Sequence, residues 1–188
     1  MKKIILASGS PRRRELLKDI GFEFEIYKPD VDEKILPNEK PEDLCLRLSR
    51  LKAQAGAEKF YDSIIIAADT IVVIDEKILG KPHDREEAFL MLKTLQGREH
   101  EVITGVSVAL NEKIISHAEH TLVKFTSMND SEIREYIATG ECDDKAGAYA
   151  IQGVGATLIE RINGDYFNVV GLPLCSLTKI LKNFNDEE

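Results

Sequence analysis

Ile64-Ile65-Ile66-Ala67-Ala68-Asp69-Thr70-Ile71-Val72-Val73-Ile74 is the strongest strand signal in the chain. The run is apolar and rich in β-branched residues without alternation, the pattern of a strand covered on both faces. One residue breaks it. A carboxylate placed in such a run costs several kcal/mol unless it is paired or hydrogen-bonded. Asp69 therefore either sits at a bulge facing solvent or is kept for chemistry, as a ligand for a divalent metal or as a general base acting on water.

Toward the N-terminus, Ile4 to Ala7 reads as a short buried strand and residues 11–20 as a helix stopped by Gly21. Residues 22–27 alternate like a strand, and 28–40 form a polar loop containing Pro29, Pro37, Asp30, Asp32 and Glu33. A helix is expected over 41–59 with Leu44, Leu48, Leu51 and Ala55 as its apolar stripe. Toward the C-terminus, 76–79 extend the central strand as a hairpin, and 84–95 read as a helix with Asp84 and Glu87 as a capping box. Strands over 101–110 and 114–126 follow, then a helix capped by Asn129 and Glu132 and ended by Gly140. A glycine-rich stretch, 147–155, precedes a strand near 157–162. Pro173 opens a last helix with Leu174, Leu177, Leu181 and Phe184 on one face. Helices and strands interleave at both ends, with long strands between them. The expected class is α/β with a mixed sheet, in one domain over 1–188 with two lobes.

The turn after the first strand, Ser8-Gly9-Ser10-Pro11-Arg12-Arg13-Arg14, is electrostatically unusual. Ser10 suits the N-cap and Pro11 the first helical position. Three arginines then fall beside the positive end of the helix dipole, each costing about 0.3–1 kcal/mol. A bound anion, phosphate above all, offsets that cost; a solvated basic turn is the alternative.

The 188 residues carry a net charge of −8, which argues against a protein whose main task is gripping a nucleic-acid polymer. Any basic site is local. Cys45, Cys142 and Cys175 are dispersed and odd in number, so neither a disulfide frame nor a zinc site is expected, consistent with a reducing compartment. No signal peptide and no long apolar segment is legible, so a cytoplasmic protein without membrane contact is expected.

Other residues are weaker signals when taken singly. Lys52 lies at the edge of its helix's stripe, where snorkelling along apolar surface is the ordinary reading and a lysine directed into a cleft the other. Lys81, in Gly80-Lys81-Pro82, follows a turn and does not fit the GxxxxGK[ST] phosphate loop. Asp32 and Glu33 read as loop acids. The stretch from Gly147 to Gly155 is not a GxGxxG fingerprint, but its small residues imply close backbone approach. Gln152 within it offers the donor and acceptor that an imide edge of uracil or thymine requires. His83, His100, His117 and His120 form no metal set.

Taken together, Ser8-Gly-Ser-Pro-Arg-Arg-Arg-Glu-Leu-Leu, Ala67-Ala-Asp-Thr-Ile-Val, Gly80-Lys-Pro, Thr104-Gly-Val, Asp144-Lys-Ala-Gly-Ala-Tyr-Ala-Ile-Gln-Gly and Val169-Val-Gly-Leu-Pro-Leu resemble the Maf family of nucleoside triphosphate pyrophosphatases, in order and from about Ile4 to Leu177. The resemblance implies a two-lobed mixed-sheet α/β fold like that of inosine triphosphate pyrophosphatases, with the nucleotide in a cleft between lobes. It implies hydrolysis between the α- and β-phosphates, giving a monophosphate and pyrophosphate, with Mg²⁺ or Mn²⁺ required. The family's proton acceptor corresponds to Asp69, and its other functional positions to Ser8, Arg12, Arg13, Glu33, Lys52 and Lys81. Arg12, Thr70 and Gln152 match the subgroup acting on dTTP and UTP. On this reading Ser8, Ser10 and the first-turn arginines hold phosphate, and Lys52 and Lys81 balance charge on the leaving pyrophosphate. Glu33 with Asp69 positions the metal. A homodimer is a family-level expectation. Two rivals remain at this stage: a non-catalytic nucleotide sensor regulating septum formation and cell division, with which the family is associated, and a nucleotidyl or phosphoryl transferase.

Overall fold

The computed structural model describes residues 2–185. In chain order the elements are β1 (Ile4–Ala7), α1 (Pro11–Asp19), β2 (Glu25–Tyr27), α2 (Pro41–Lys59), β3 (Ile64–Ile74), β4 (Lys77–Leu79), α3 (Arg85–Leu95), β5 (Glu99–Leu110), β6 (Lys113–Phe125), α4 (Asp130–Ala138), β7 (Ile159–Asn163), α5 (Tyr166–Val170) and α6 (Leu174–Asn185). Two 3-10 turns, Ala146–Ala148 and Gly153–Leu158, lie between α4 and β7. Among the described residues the sheet has seven strands in the order β2-β1-β3-β5-β6-β7, with β4 paired to β3. β1 runs parallel to both β2 and β3, while β3–β4 and β6–β7 are antiparallel, so the sheet is mixed.

The chain divides into two compact units. The first takes the described residues up to Asp69, Thr104–Glu119 and those from Gly171 onward; the second takes Thr70–Ile103 and His120–Val170. Each has its own core. In the first, Ile5, Ala7, Ala53, Ala57, Ile65, Ala67 and Ala109 pack together, with Tyr27 and Phe60 against them. The prevalence of alanine lets α2 lie close to the strands. Two glycines bring it closer still. A Cβ on Gly56 would stand 2.6 Å from Ile65 Cγ2, and one on Gly105 would stand 2.3 Å from the Cys45 carbonyl oxygen. In the second unit the core is bulkier: Leu92, Leu95, Val123, Phe125, Ile133 and Leu158 are among its buried members.

The strand expected over 22–27 shortens to β2, and Phe22 and Phe24 stay outside it. α5 was not foreseen. Its five residues, Tyr166–Val170, follow Asp165, whose Oδ1 accepts the Phe167 N–H at 2.8 Å. The α2 stripe also differs: Leu44 and Leu48 are buried with Cys45, Ser49, Ala53, Gly56 and Ala57, whereas Leu51 and Ala55 are half-buried. Small residues, invisible to a count of large apolar ones, mark the face that packs. Asp84 caps α3 through the Glu87 N–H, but the Glu87 carboxylate accepts the His83 N–H, so the box expected there is half made, whereas Asn129 with Glu132 forms a full capping box on α4. No helix among the described residues is long and apolar enough to cross a membrane.

Candidate active site

Asp69 ends the first unit's share of β3, with its side chain 14% exposed. Lys52 comes to it from α2. It stands four residues after Leu48 and four before Gly56, hence on the packed face. Its ammonium is 2.6 Å from Asp69 Oδ1 and 2.7 Å from Glu33 Oε1. Lys52 is 11% exposed and Glu33 59%, so the cluster runs from the interior out to solvent. Snorkelling is thereby corrected: the head group is tied to two carboxylates. A pair this enclosed returns little net stability after desolvation, which leaves chemistry as the better reason for its presence.

Ser8 lies at the end of β1, 7% exposed. Its hydroxyl oxygen accepts the Ser10 N–H at 3.2 Å and Arg13 Nη1–H at 3.2 Å. Arg13 Nε donates to the Gly171 carbonyl at 2.7 Å. The guanidinium is therefore oriented from two sides. Burial, the largest influence, lowers its pKa, and the charge of Asp69 opposes that. An arginine stays charged regardless, so Arg13 is a fixed cation whose field reaches Asp69 and Glu33. Arg12 is half-buried and Arg14 exposed. The N-cap reading of Ser10 needs correction. Ser10 holds that position with extended backbone, but its side chain makes no cap hydrogen bond. No acidic residue occupies the first turn of α1 either. The positive end of the helix keeps its field.

The loop bearing Glu33 is pinned by a residue the sequence did not single out. Arg47 of α2 grips Glu39 with two bonds, Nε to Oε1 at 2.6 Å and Nη2 to Oε2 at 2.8 Å, and Nη2 also reaches the Lys34 carbonyl at 2.8 Å. The Arg47 bond holds the Glu39 carboxyl down at about 2, aided by the Leu36 N–H. A bidentate partner eight positions away across a loop leaves no periodic trace in the sequence.

The remaining predicted residues, Thr70, Lys81 and Gln152, belong to the second unit. Thr70 is half-buried on β3. Lys81 is exposed after β4 and borders a shallow depression of about 360 Å³ with Gly80, His83, Glu87 and Leu90. The Gly147 N–H donates to the Gly80 carbonyl at 3.0 Å, tying the stretch that leads to Gln152 to the turn before Lys81. Gly147 has φ +68°, and a Cβ there would press on Val72 at 3.0 Å, so the small residue is required. Gln152 is exposed. Among the histidines, His100 is buried, sharing a 2.8 Å hydrogen bond with Tyr149, while His117 and His120 face acids at the surface.

No group of three histidine, cysteine or acidic side chains among the described residues is arranged to hold a metal. Two carboxylate oxygens nevertheless converge on one cationic atom, Lys52 Nζ. That donor set fits Mg²⁺, which characteristically takes one or two carboxylates and fills its shell with phosphate oxygens and water; it does not fit zinc.

The molecule is of the mixed-sheet α/β class, with Arg13 near enough for the charges of Asp69 and Glu33 to act on it. Its fold is shared with the Ham1 protein of Staphylococcus aureus, at TM-score 0.50 and 16% identity over 84% of this chain and 80% of that one. At that identity the likeness is one of fold alone. The sequence model of Maf-like proteins matches residues 3–184, and the chain belongs to that family. It is 54% identical to the dTTP/UTP pyrophosphatase of Thermoanaerobacter sp., over 96% of this chain and 95% of that protein. It is 50% identical to the dTTP/UTP pyrophosphatase of Pyrococcus furiosus, over 97% and 95%. The corresponding protein of Bacillus cytotoxicus is 49% identical over 98% and 97%.

Proposed function

We propose that this chain is a nucleoside triphosphate pyrophosphatase that hydrolyses dTTP and UTP, and modified pyrimidine nucleotides of the same shape, to the monophosphate and pyrophosphate. Relatives of that name at about half identity over nearly the full chain support the substrate class. The observation that carries the chemistry is Lys52 lodged between Asp69 and Glu33.

In this reading Ser8, Ser10, Arg12 and Arg13 hold the phosphate oxygens. Arg13 is already aimed by Ser8 and the Gly171 carbonyl, so little orientational freedom is lost on binding. Lys52 neutralises charge as the bond to the leaving pyrophosphate breaks, and fixes Asp69 through Oδ1. Asp69 accepts the proton of the water that attacks the α-phosphorus. Glu33 and Asp69 would hold Mg²⁺ or Mn²⁺, which when bound supplies positive charge to the phosphate oxygens. Lys81 as a second cation for the leaving group, and Thr70 and Gln152 as determinants of the pyrimidine, rest on the family resemblance.

A panel of nucleoside triphosphates with Mg²⁺ and with Mn²⁺, scored for pyrophosphate, tests the proposal. Release from dTTP and UTP well above that from purine triphosphates is expected. Orthophosphate with a diphosphate product contradicts it, and absence of turnover favours a sensor.

A further inference from the structure

The leading end of the turn that carries Gln152 is fastened by side chains from outside it. Gln152 occupies the cap position of the 3-10 turn Gly153–Leu158, with extended backbone at φ −98° and ψ 164°, yet its side chain makes no cap hydrogen bond. Glu141 takes that part from outside the turn. Oε1 accepts the Val154 N–H and Oε2 the Gly155 N–H, both at 2.9 Å. The fit is close. Gly153 has φ +69°, and a Cβ on it would stand 2.4 Å from Glu141 Oε1. Gly155 lies against the Ala150 carbonyl, where a Cβ would come within 2.2 Å. On the other side of Gln152, the Ala150 N–H donates to the Tyr136 hydroxyl at 3.1 Å.

We infer that Glu141 is a positioning residue for base recognition: its carboxylate takes the two backbone N–H groups that a cap side chain would otherwise satisfy, and so leaves the Gln152 amide for the pyrimidine edge. This rests on the proposed role of Gln152. With both N–H groups already taken by Glu141, and no cap bond from its own side chain, exposed Gln152 keeps the donor and the acceptor of its amide for a base. Two charge-assisted bonds from a single carboxylate also fix the direction in which residue 152 leaves the backbone.

The test compares E141Q, Q152A and the double variant with the wild-type chain, using kcat and KM for dTTP and dGTP, a melting curve, and hydrogen exchange at the amides of residues 153–155. Glutamine keeps the size of Glu141 but loses the charge and one acceptor. For E141Q, kcat/KM for dTTP should fall about tenfold, the scale of one oriented hydrogen bond, mainly through KM. The dTTP-to-dGTP ratio should fall with it, the three amides should exchange faster, and E141Q should add nothing to the ratio in the Q152A background. E141D, which keeps the charge but shortens the reach, carries the same expectation if E141Q does not fold. A lowered melting temperature with the wild-type ratio intact overturns the inference alone. A wild-type chain with no preference for dTTP overturns both the proposed substrate and this inference.

Discussion

Asp69 and Lys52 each look different once seen together. Separately, one is an acid in an apolar strand and the other a lysine beside an apolar helical stripe. Within 2.6 Å of each other they form a mostly enclosed ion pair that opens to solvent through Glu33. Removing the charge of Asp69 while keeping its shape isolates its role in proton transfer. D69N should fold and lose about 10²–10⁴-fold in kcat, the span of general-base contributions. Near-normal turnover in steady-state assays would remove Asp69 from that role. K52M should also lose activity and in addition be less stable by at most ~3 kcal/mol, the low edge for breaking a buried pair, because water reaches part of the cluster. Equilibrium denaturation in urea measures that difference. The identity of these residues was readable from local chemistry and family pattern, but their contact was not. It depends on how closely α2 approaches β3, which no single residue announces. Ser10 shows the opposite failure. Its place at the helix start was foreseen, but its side chain does not cap, because the backbone there is held through the Ser8 hydroxyl instead.

At the scale of elements, α2 decides whether the site exists. It carries Lys52 and Arg47, and it can lie against β3 and β5 only because positions 56 and 105 lack a Cβ. G105A should therefore displace α2. The new methyl meets the Cys45 backbone, which cannot swing aside as a side chain would, so a loss of about 1–3 kcal/mol is expected. A fall in melting temperature together with a fall in kcat checks this; a variant with wild-type stability would show that the helix can shift without strain. Boundaries of the long elements were legible because capping and periodicity agree with packing: α2 and α3 start and stop where Pro41, Asp84 and the apolar pattern indicate. The short ones were not. β2 keeps three residues in the sheet, and α5 is one turn started by an aspartate side chain, both set by tertiary contacts rather than period.

For the whole molecule, His100 and Glu39 are among the described groups that make stability depend on pH. Burial lowers the His100 pKa to about 4. Its Nε2 meets the Tyr149 hydroxyl, and Nδ1 has no hydrogen-bond partner among the described residues, so a proton added there would be both charged and unpaired. The folded pKa lies below the unfolded value, so the unfolded chain takes up the proton first. Stability is complete above about pH 6.5 and declines as pH falls toward 4, by roughly 2–3 kcal/mol. The Glu39 carboxyl, held at about 2 by Arg47, adds a second decline below the ordinary glutamate range, as pH falls from about 4.5 toward 2. Urea midpoints taken between pH 8 and pH 4 should show the first decline, and H100F should flatten it; an equal slope in H100F would assign the loss elsewhere. Neither group was evident beforehand, since a lone histidine and a loop glutamate carry no pattern that reports burial or a distant partner.

The central claim is that water, activated at Asp69, attacks the α-phosphorus of a pyrimidine nucleoside triphosphate. Turnover of dTTP with Mg²⁺ in water enriched in heavy oxygen, followed by mass spectrometry of both products, tests it most directly. The label should appear in the monophosphate and not in the pyrophosphate. Label in pyrophosphate, or formation of a diphosphate and labelled orthophosphate, would contradict it.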